Sequence, residues 1–165
     1  MPDDITPLAL DVLQQFRMIF GSMRQYFRLV EERCGIPGSQ VWVLQEAQRQ
    51  PGLGINELGA LMGIHQSTAS LLVDKLAKRK LLAKKRGTTD QRRVGLFLTP
   101  QGEQTLALLP GPAEGILPAA LNQLPDVVLH TLNINLSELI RHLPGKDESF
   151  AGEPLADLLD KQAAN

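Results

Sequence analysis

The feature that most constrains the fold is a change in the spacing of apolar residues near residue 80. Before it, apolar residues recur at i, i+3, i+4 and i+7, which predicts a helix from Gln66 to about Arg79 with one buried side. That side consists of Ala69, Leu72, Val73 and Leu76. After it, residues alternate with period two around a Gly-Thr-Thr-Asp turn at 87–90, which predicts a β-hairpin with a long basic tip.

Three helices are predicted before this unit. The first runs from about Thr6 to Cys34, because an apolar seam repeats there every 3.5 residues. The seam comprises Leu13, Phe16, Phe20, Met23, Phe27, Val30 and Cys34. The second helix runs from about Gln40 to Gln50, with Ser39 as its cap, and a short third helix spans Ile55 to Met62. Leu58, Leu61 and Met62 are expected to face inward, and His65 takes the cap position of the next helix.

Two further helices are predicted after the hairpin. Thr99-Pro100 is a strong start signal for a helix that reaches about Leu109, and Pro110-Gly111-Pro112 breaks the chain after it. The last strong helix runs from about Asp126 to His142. Its seam comprises Leu129, Leu132, Leu136, Leu139 and Leu143. In the acidic, polar tail from Pro144, three leucines, Leu155, Leu158 and Leu159, are spaced for a short docked helix.

This order predicts a mainly α protein with a small β-hairpin wing. Its architecture would be a winged helix-turn-helix flanked by N- and C-terminal dimerisation helices. We expect the boundaries to fall at 1–36 for the N-terminal dimerisation helix, 37–109 for the winged helix-turn-helix and 110–165 for the C-terminal dimerisation region. A seam of seven positions on so long a helix favours a partner in a second copy of the chain.

Charge is concentrated in the same unit. The net formal charge is only −1, but residues 74–93 contain nine basic and two acidic residues, a net +7 that leaves −8 for the rest of the chain. A concentrated basic segment on a near-neutral protein is typical of a polyanion binder.

The helix at 66–79 has side chains suited to reading DNA. Opposite its buried stripe it carries Gln66, Ser67, Ser70, Leu71, Asp74, Lys75 and Lys78. A glutamine pairs bidentately with adenine, serines bond bases or phosphates, and a leucine can touch a thymine methyl group. Lysines further along the helix would meet phosphates.

Residues 52–102 resemble a MarR-family transcription regulator. The resemblance lies in the helix-turn-helix, and in Asp90-Gln91-Arg92 followed by Leu98-Thr99, which matches the family's D-x-R…LT wing signature. Two features depart from the family. Lys80 stands where members usually carry glycine, and the Pro110-Gly111-Pro112 break interrupts what is commonly a long helix.

The resemblance implies a homodimeric regulator, with repression favoured over activation, on a pseudo-palindromic operator in double-stranded DNA. It also implies release by a small phenolic or lipophilic ligand, or by oxidation. The expected DNA contacts are His65, Gln66, Ser67, Thr68, Ser70, Leu71, Lys75, Lys84, Lys85, Arg86, Asp90, Arg92 and Arg93. The expected dimer contacts are Leu13, Phe16, Phe20, Leu129, Leu132, Leu136, Leu139 and Leu143, and Tyr26 and Trp42 are candidates to line a ligand crevice.

The wing tip carries a more specific expectation. Asp90 and Arg92 would lie on the same side of an extended strand and pair through their side chains, which would aim Arg92 at a minor groove. Arg93 would point the other way.

Other function classes find less support. No apolar run is long enough for a membrane span, the N-terminus lacks the basic start of a secretory signal, and one cysteine makes no internal disulfide, so we expect a cytoplasmic protein. The histidines have no metal-like spacing and no nucleophile motif is visible, so we expect neither a metal, nor a cofactor, nor enzyme activity. A winged-helix module for protein–protein assembly, and a metal- or redox-sensing regulator, the latter using Cys34, remain the alternatives.

Overall fold

Eight α-helices and one two-stranded hairpin make up most of the part of the chain described by the computed structural model, residues 4–88 and 90–160. Thr89, part of the predicted turn, lies outside the described residues. The elements are α1 (Pro7–Cys34), α2 (Gly38–Arg49), α3 (Ile55–Met62), α4 (Gln66–Lys78), β1 (Leu82–Arg86), β2 (Val94–Leu98), α5 (Pro100–Leu106), α6 (Ile116–Leu121), α7 (Asp126–His142), a 3₁₀ turn (Glu148–Gly152) and α8 (Leu155–Asp160). Within the described ranges, no helix is long and apolar enough to cross a membrane.

The main core lies between α2, α3, α4 and the hairpin. The stripe predicted on α4 is buried: Ala69, Leu72, Val73 and Leu76 are each at most 3% exposed. They pack with residues such as Leu44 and Leu58. The order α2–α3–α4–hairpin is that of a winged helix, so the predicted fold class is confirmed.

The hairpin is antiparallel and joined to the core by a third short segment. Leu82 pairs with Leu98 at its base and Arg86 with Val94 at its outer end. An isolated bridge between Leu53 and Leu96 ties the hairpin to the turn that follows α2. The base of the hairpin is therefore fixed to the core by the bridge at Leu53.

The cap predicted at Thr99 is confirmed, Thr6 caps α1 although only the start of that helix was predicted there, and the cap predicted at Ser39 is wrong. The hydroxyl oxygens of Thr6 and Thr99 accept hydrogen bonds from backbone amides at the starts of α1 and α5. Ser39 is no cap, contrary to the prediction, because α2 begins one residue before it and Pro37 takes the cap position. Leu61, predicted to face inward, is 53% exposed.

The first helix after the wing is shorter than predicted. The helix expected to reach about Leu109 ends at Leu106, and no regular element covers the Pro110-Gly111-Pro112 break. The last strong helix, α7, has the predicted bounds. The predicted docked helix also forms, as α8, with Ala156 and Leu159 buried against Met23 and Phe27 of α1.

Candidate nucleic-acid interface

Helix α4 exposes the polar face expected of a recognition helix. Gln66, Ser67 and Lys75 are exposed, and Leu71 is 61% exposed although it is a large apolar side chain. Thr68 and Ser70 are half-buried at the edges of this face. The buried stripe fixes the rotation of the helix, so the exposed side chains are presented on a rigid support.

The wing lies along one edge of α4. Lys84 on β1 forms an ion pair with Asp74 on α4, which joins the hairpin to the helix. Lys84 was expected to contact DNA, yet its ammonium group already has a carboxylate partner within the chain. Asp74, in turn, serves the wing rather than the free face of the helix.

The other basic residues of β1 are placed differently. The ammonium group of Lys85 lies 5.0 Å from the centre of the Phe97 ring, on the face of the ribbon away from Lys84. Arg86 is exposed at the end of the strand. These three residues, all expected to contact DNA, therefore occupy three different environments.

The wing tip does not hold the predicted side-chain pair. Residues 90–92 form a turn rather than an extended strand, and Asp90 Oδ1 accepts a hydrogen bond of 3.0 Å from the backbone N–H of Arg92. The guanidinium group of Arg92 is exposed and has no hydrogen-bond partner among residues 4–88 and 90–160. Asp90 thus shapes the backbone that carries Arg92.

Arg93 is held against α3. Its Nη2 lies 3.1 Å from Glu57 Oε1, and the other carboxylate oxygen of Glu57 accepts a bond from the backbone N–H of Gly54. The guanidinium of Arg93 is therefore partly neutralised, unlike that of Arg92. The role of Glu57 could not be predicted from the sequence, because its ion pair with Arg93 joins residues 36 positions apart and leaves no local pattern.

His65 contacts residues 149–152, a part of the chain that was not expected near α4. The backbone N–H of His65 donates to the carbonyl oxygen of Gly152, 3.0 Å away, and its ring Nε2 lies 3.3 Å from the carbonyl oxygen of Ser149. His65 occupies the N-cap position, but its side chain does not cap the helix.

One of the two residues proposed for a ligand crevice lines a cavity. Trp42 borders a cavity of about 200 Å³ together with Phe27, Met62 and Ile64. Tyr26 is not among its lining residues, and instead donates a 2.7 Å hydrogen bond to the carbonyl oxygen of Pro112. Burial, together with the nearby Glu114 carboxylate, raises the pKa of Tyr26 to about 12.

Cys34 is buried at the end of α1, and burial raises the pKa of its thiol above the ordinary value. Because the thiolate is the reactive form, this environment disfavours oxidation. Within the described ranges, no three His, Cys, Asp or Glu side chains come close enough together to hold a metal ion.

The two apolar seams meet a common groove and are only partly covered. Residues from α1, α6 and α7 line a cavity of about 480 Å³. They include Val12, Phe16, Ile19, Leu132, Leu136 and Leu139. No residue of α7 is buried, and Ile134 on its other side is 68% exposed.

The family comparison agrees with this geometry. A family model described as the MarR family matches residues 35–93, the segment that contains α2, α3, α4 and most of the wing. This segment of the chain is therefore similar to the MarR family. This segment also carries Asp90 and Arg92, which match the family's wing signature.

Similar proteins include two curated regulators. The chain is 25% identical over 96 residues to "HTH-type transcriptional repressor MdtR" of Bacillus subtilis, which covers 58% of this chain and 62% of that protein. It is 30% identical over 86 residues to a putative transcriptional regulatory protein for the hcr operon of Thauera aromatica, which covers 52% of each chain. The chain thus matches between about half and three-fifths of the length of these two relatives.

A solved structure, the S. aureus MepR–DNA complex, shares the fold. Its TM-score is 0.54 at 24% identity, and the match covers 79% of this chain and 96% of that one. The similarity of fold therefore extends well beyond the segment that the family model matches.

Proposed function

We propose that this protein is a sequence-specific DNA-binding transcriptional regulator that acts as a homodimer on a pseudo-palindromic operator. The observation that carries the proposal is the exposed polar face of α4, held on a buried core and bordered by a basic wing. A major groove about 12 Å wide admits such a helix, and a wing beside it can reach the neighbouring backbone or minor groove.

Side chains on α4 and the wing divide the work of recognition. Gln66 and Ser67 lie in the first turn of α4, where they meet base edges in helix-turn-helix proteins. Lys75 and Arg86 are exposed and suited to phosphates. The resemblance of the fold to a protein solved with DNA supports this assignment.

Dimerisation follows from the uncovered seams. Phe16 and Phe20 on α1 are 38% and 41% exposed, and Leu139 of α7 is 46% exposed. The other seam leucines of α7 are only partly buried. Water-exposed apolar stripes on two helices mark an interaction surface. We propose that a second copy of the chain covers them, which places two α4 helices on one duplex.

Regulation by a ligand fits the cavity beside Trp42. Phe27 and Met62 in its lining suit a small aromatic or lipophilic molecule. The cavity lies where α1, α2 and the end of α3 meet α6 and residues 151–156, and Glu114 and Glu153 are also part of its wall. Repression is the favoured sign of regulation, since one of the similar proteins is named a repressor.

The salt dependence of DNA binding tests the proposal. Binding of a labelled duplex should weaken steeply with salt, and each lost phosphate contact should reduce the slope of log K against log salt by about 0.9. Arg86→Ala should show this reduction. Lys84→Ala is the matched control, because Lys84 is already paired with Asp74, and its slope should change less. Binding that is insensitive to salt would instead favour a protein–protein module.

A further inference from the structure

We propose that the acidic tail, residues 147–160, competes intramolecularly with DNA for α4. The tail docks beside the first turn of this helix and opposes the approach of phosphates. The inference rests on the proposed function, because it assigns a regulator to the same interface.

Contacts with α4 come from the first half of the acidic tail. The carbonyl oxygens of Ser149 and Gly152 engage the ring and the backbone N–H of His65. Glu153 Oε1 lies 3.4 Å from Thr68 Oγ1, a long hydrogen bond. Two of the expected DNA contacts, His65 and Thr68, are thus occupied by the chain itself.

The second half of the acidic tail anchors it to the helices behind. Ser39 Oγ donates a 2.6 Å hydrogen bond to Asp157 Oδ1, across 118 positions of sequence. Ala156 and Leu159 are 3% and 7% exposed, in a cluster with Phe27. This burial shows that the acidic tail is a packed element and not a loose end.

Two glycines permit the close fit. A Cβ atom at Gly152 would lie 2.2 Å from His65 Nε2, and a Cβ atom at Gly38 would lie 2.7 Å from Phe27 Cδ1 and 3.4 Å from the Cβ of Ala156. A side chain at Gly152 therefore displaces the His65 ring from its contact with the acidic tail, by moving either the ring or the tail. A substitution at Gly152 therefore weakens the contact between His65 and the acidic tail without changing the charge.

Charge gives the docked tail its effect. Residues 147–160 contain five acidic residues and no basic one, a net −5 that the flanking Lys146 and Lys161 reduce to −3, beside a unit whose residues 74–93 carry +7. The five are Asp147, Glu148, Glu153, Asp157 and Asp160. Glu153 holds its carboxylate beside Thr68 at the edge of the reading face, where it repels a nearby phosphate. DNA must bind against this repulsion or displace the acidic tail.

Two variants test the proposal by different routes. Glu153→Gln removes the charge and keeps an oxygen for Thr68, whereas Gly152→Ala disrupts the contact between the His65 ring and the acidic tail. Glu138→Gln on α7 is the control, because it makes the same change of charge outside the acidic tail. Binding to a mixed-sequence duplex would be titrated by fluorescence anisotropy at low salt, with circular dichroism to confirm folding.

Glu153→Gln should bind the duplex about fivefold more tightly than the unaltered chain, the effect of one charge close to a phosphate, and Glu138→Gln should not. Gly152→Ala, if folded, should also bind more tightly. Equal or weaker binding by Glu153→Gln, or an equal gain in Glu138→Gln, would overturn the inference and leave the proposed function standing. If neither the unaltered chain nor any variant retained DNA, the proposed function itself would fall.

Discussion

Lys80 takes a left-handed backbone conformation, with φ of 59°, immediately after the C-cap of α4. Together with the hydrogen bond from the N–H of Leu81 to the carbonyl oxygen of Leu76, this conformation ends the helix in a Schellman motif. MarR-family members usually carry glycine here, and in this chain lysine adopts the geometry that glycine adopts without strain. The departure seen in the sequence is thus a local strain at the root of the wing.

Replacing Lys80 with glycine should stabilise the protein. The left-handed conformation costs a non-glycine residue roughly 1–2 kcal/mol, and the greater freedom of glycine in the unfolded chain cancels part of the gain. We expect Lys80→Gly to raise the free energy of unfolding by about 0.5–1 kcal/mol in urea denaturation. Lys80→Ala removes the same charge but keeps the strain, so equal stabilities of the two variants would contradict the explanation.

Asp90 and Arg92 also act at the scale of single residues. Because Asp90 accepts from the backbone N–H of Arg92, it orients the turn that presents the free guanidinium group. We expect Arg92→Ala to weaken DNA binding about tenfold and Asp90→Ala to weaken it less. The double variant should lose less than the sum of the two, because one residue acts through the other.

Arg93→Ala provides the comparison at the wing tip. Arg93 is paired with Glu57, so its loss should weaken DNA binding less than the loss of Arg92. A larger effect at Arg93, measured in the same titrations, would move the reading role to that residue.

At the scale of elements, the sequence predicts most helices and strands correctly, because local spacing determines them. The bounds of α3 and α7 match the prediction, and the change of period locates the hairpin. One error, the extended strand predicted at residues 90–92, is local, and others lie where distant residues decide. Ser39 is not a cap because its helix begins earlier, and its hydroxyl bonds to Asp157 of α8.

The exposed face of α4 could be predicted from the sequence, but the partners of its charged neighbours could not. The buried stripe of α4 determines which of its side chains are exposed, so the reading face follows from spacing alone. Spacing does not show which charges already have partners, as Lys84 has in Asp74 and Arg93 in Glu57. Nor does it show that the acidic tail reaches His65.

The seams of α1 and α7 are expected to form the dimer interface. Leu136 lines the groove between the two helices, and an aspartate there would place a charge in an apolar interface. We expect Leu136→Asp to raise the dimer dissociation constant more than about tenfold, since burying one such side chain contributes about 1.5–3 kcal/mol. Sedimentation equilibrium measures this, and Leu136→Met, which conserves volume, should remain dimeric. A monomeric unaltered protein would contradict the role of the seams.

At the scale of the whole molecule, the core, the wing and the two long helices have complementary roles. A buried core orients α4, the wing extends from it, and the seams of α1 and α7 leave a surface for a second copy. Two-fold symmetry of the dimer would present two α4 helices to one duplex. The DNA site should then carry the same symmetry, with half-sites about one helical turn apart.

Selection of DNA from a random-sequence library by the purified protein tests this most directly. We predict enrichment of an inverted repeat with half-site centres roughly 10 base pairs apart. In the same selection, Gln66→Ala should lose preference at one position in each half-site, a loss of about 1–3 kcal/mol at the cognate site. No enrichment, or a single asymmetric half-site bound by one copy, would contradict the account.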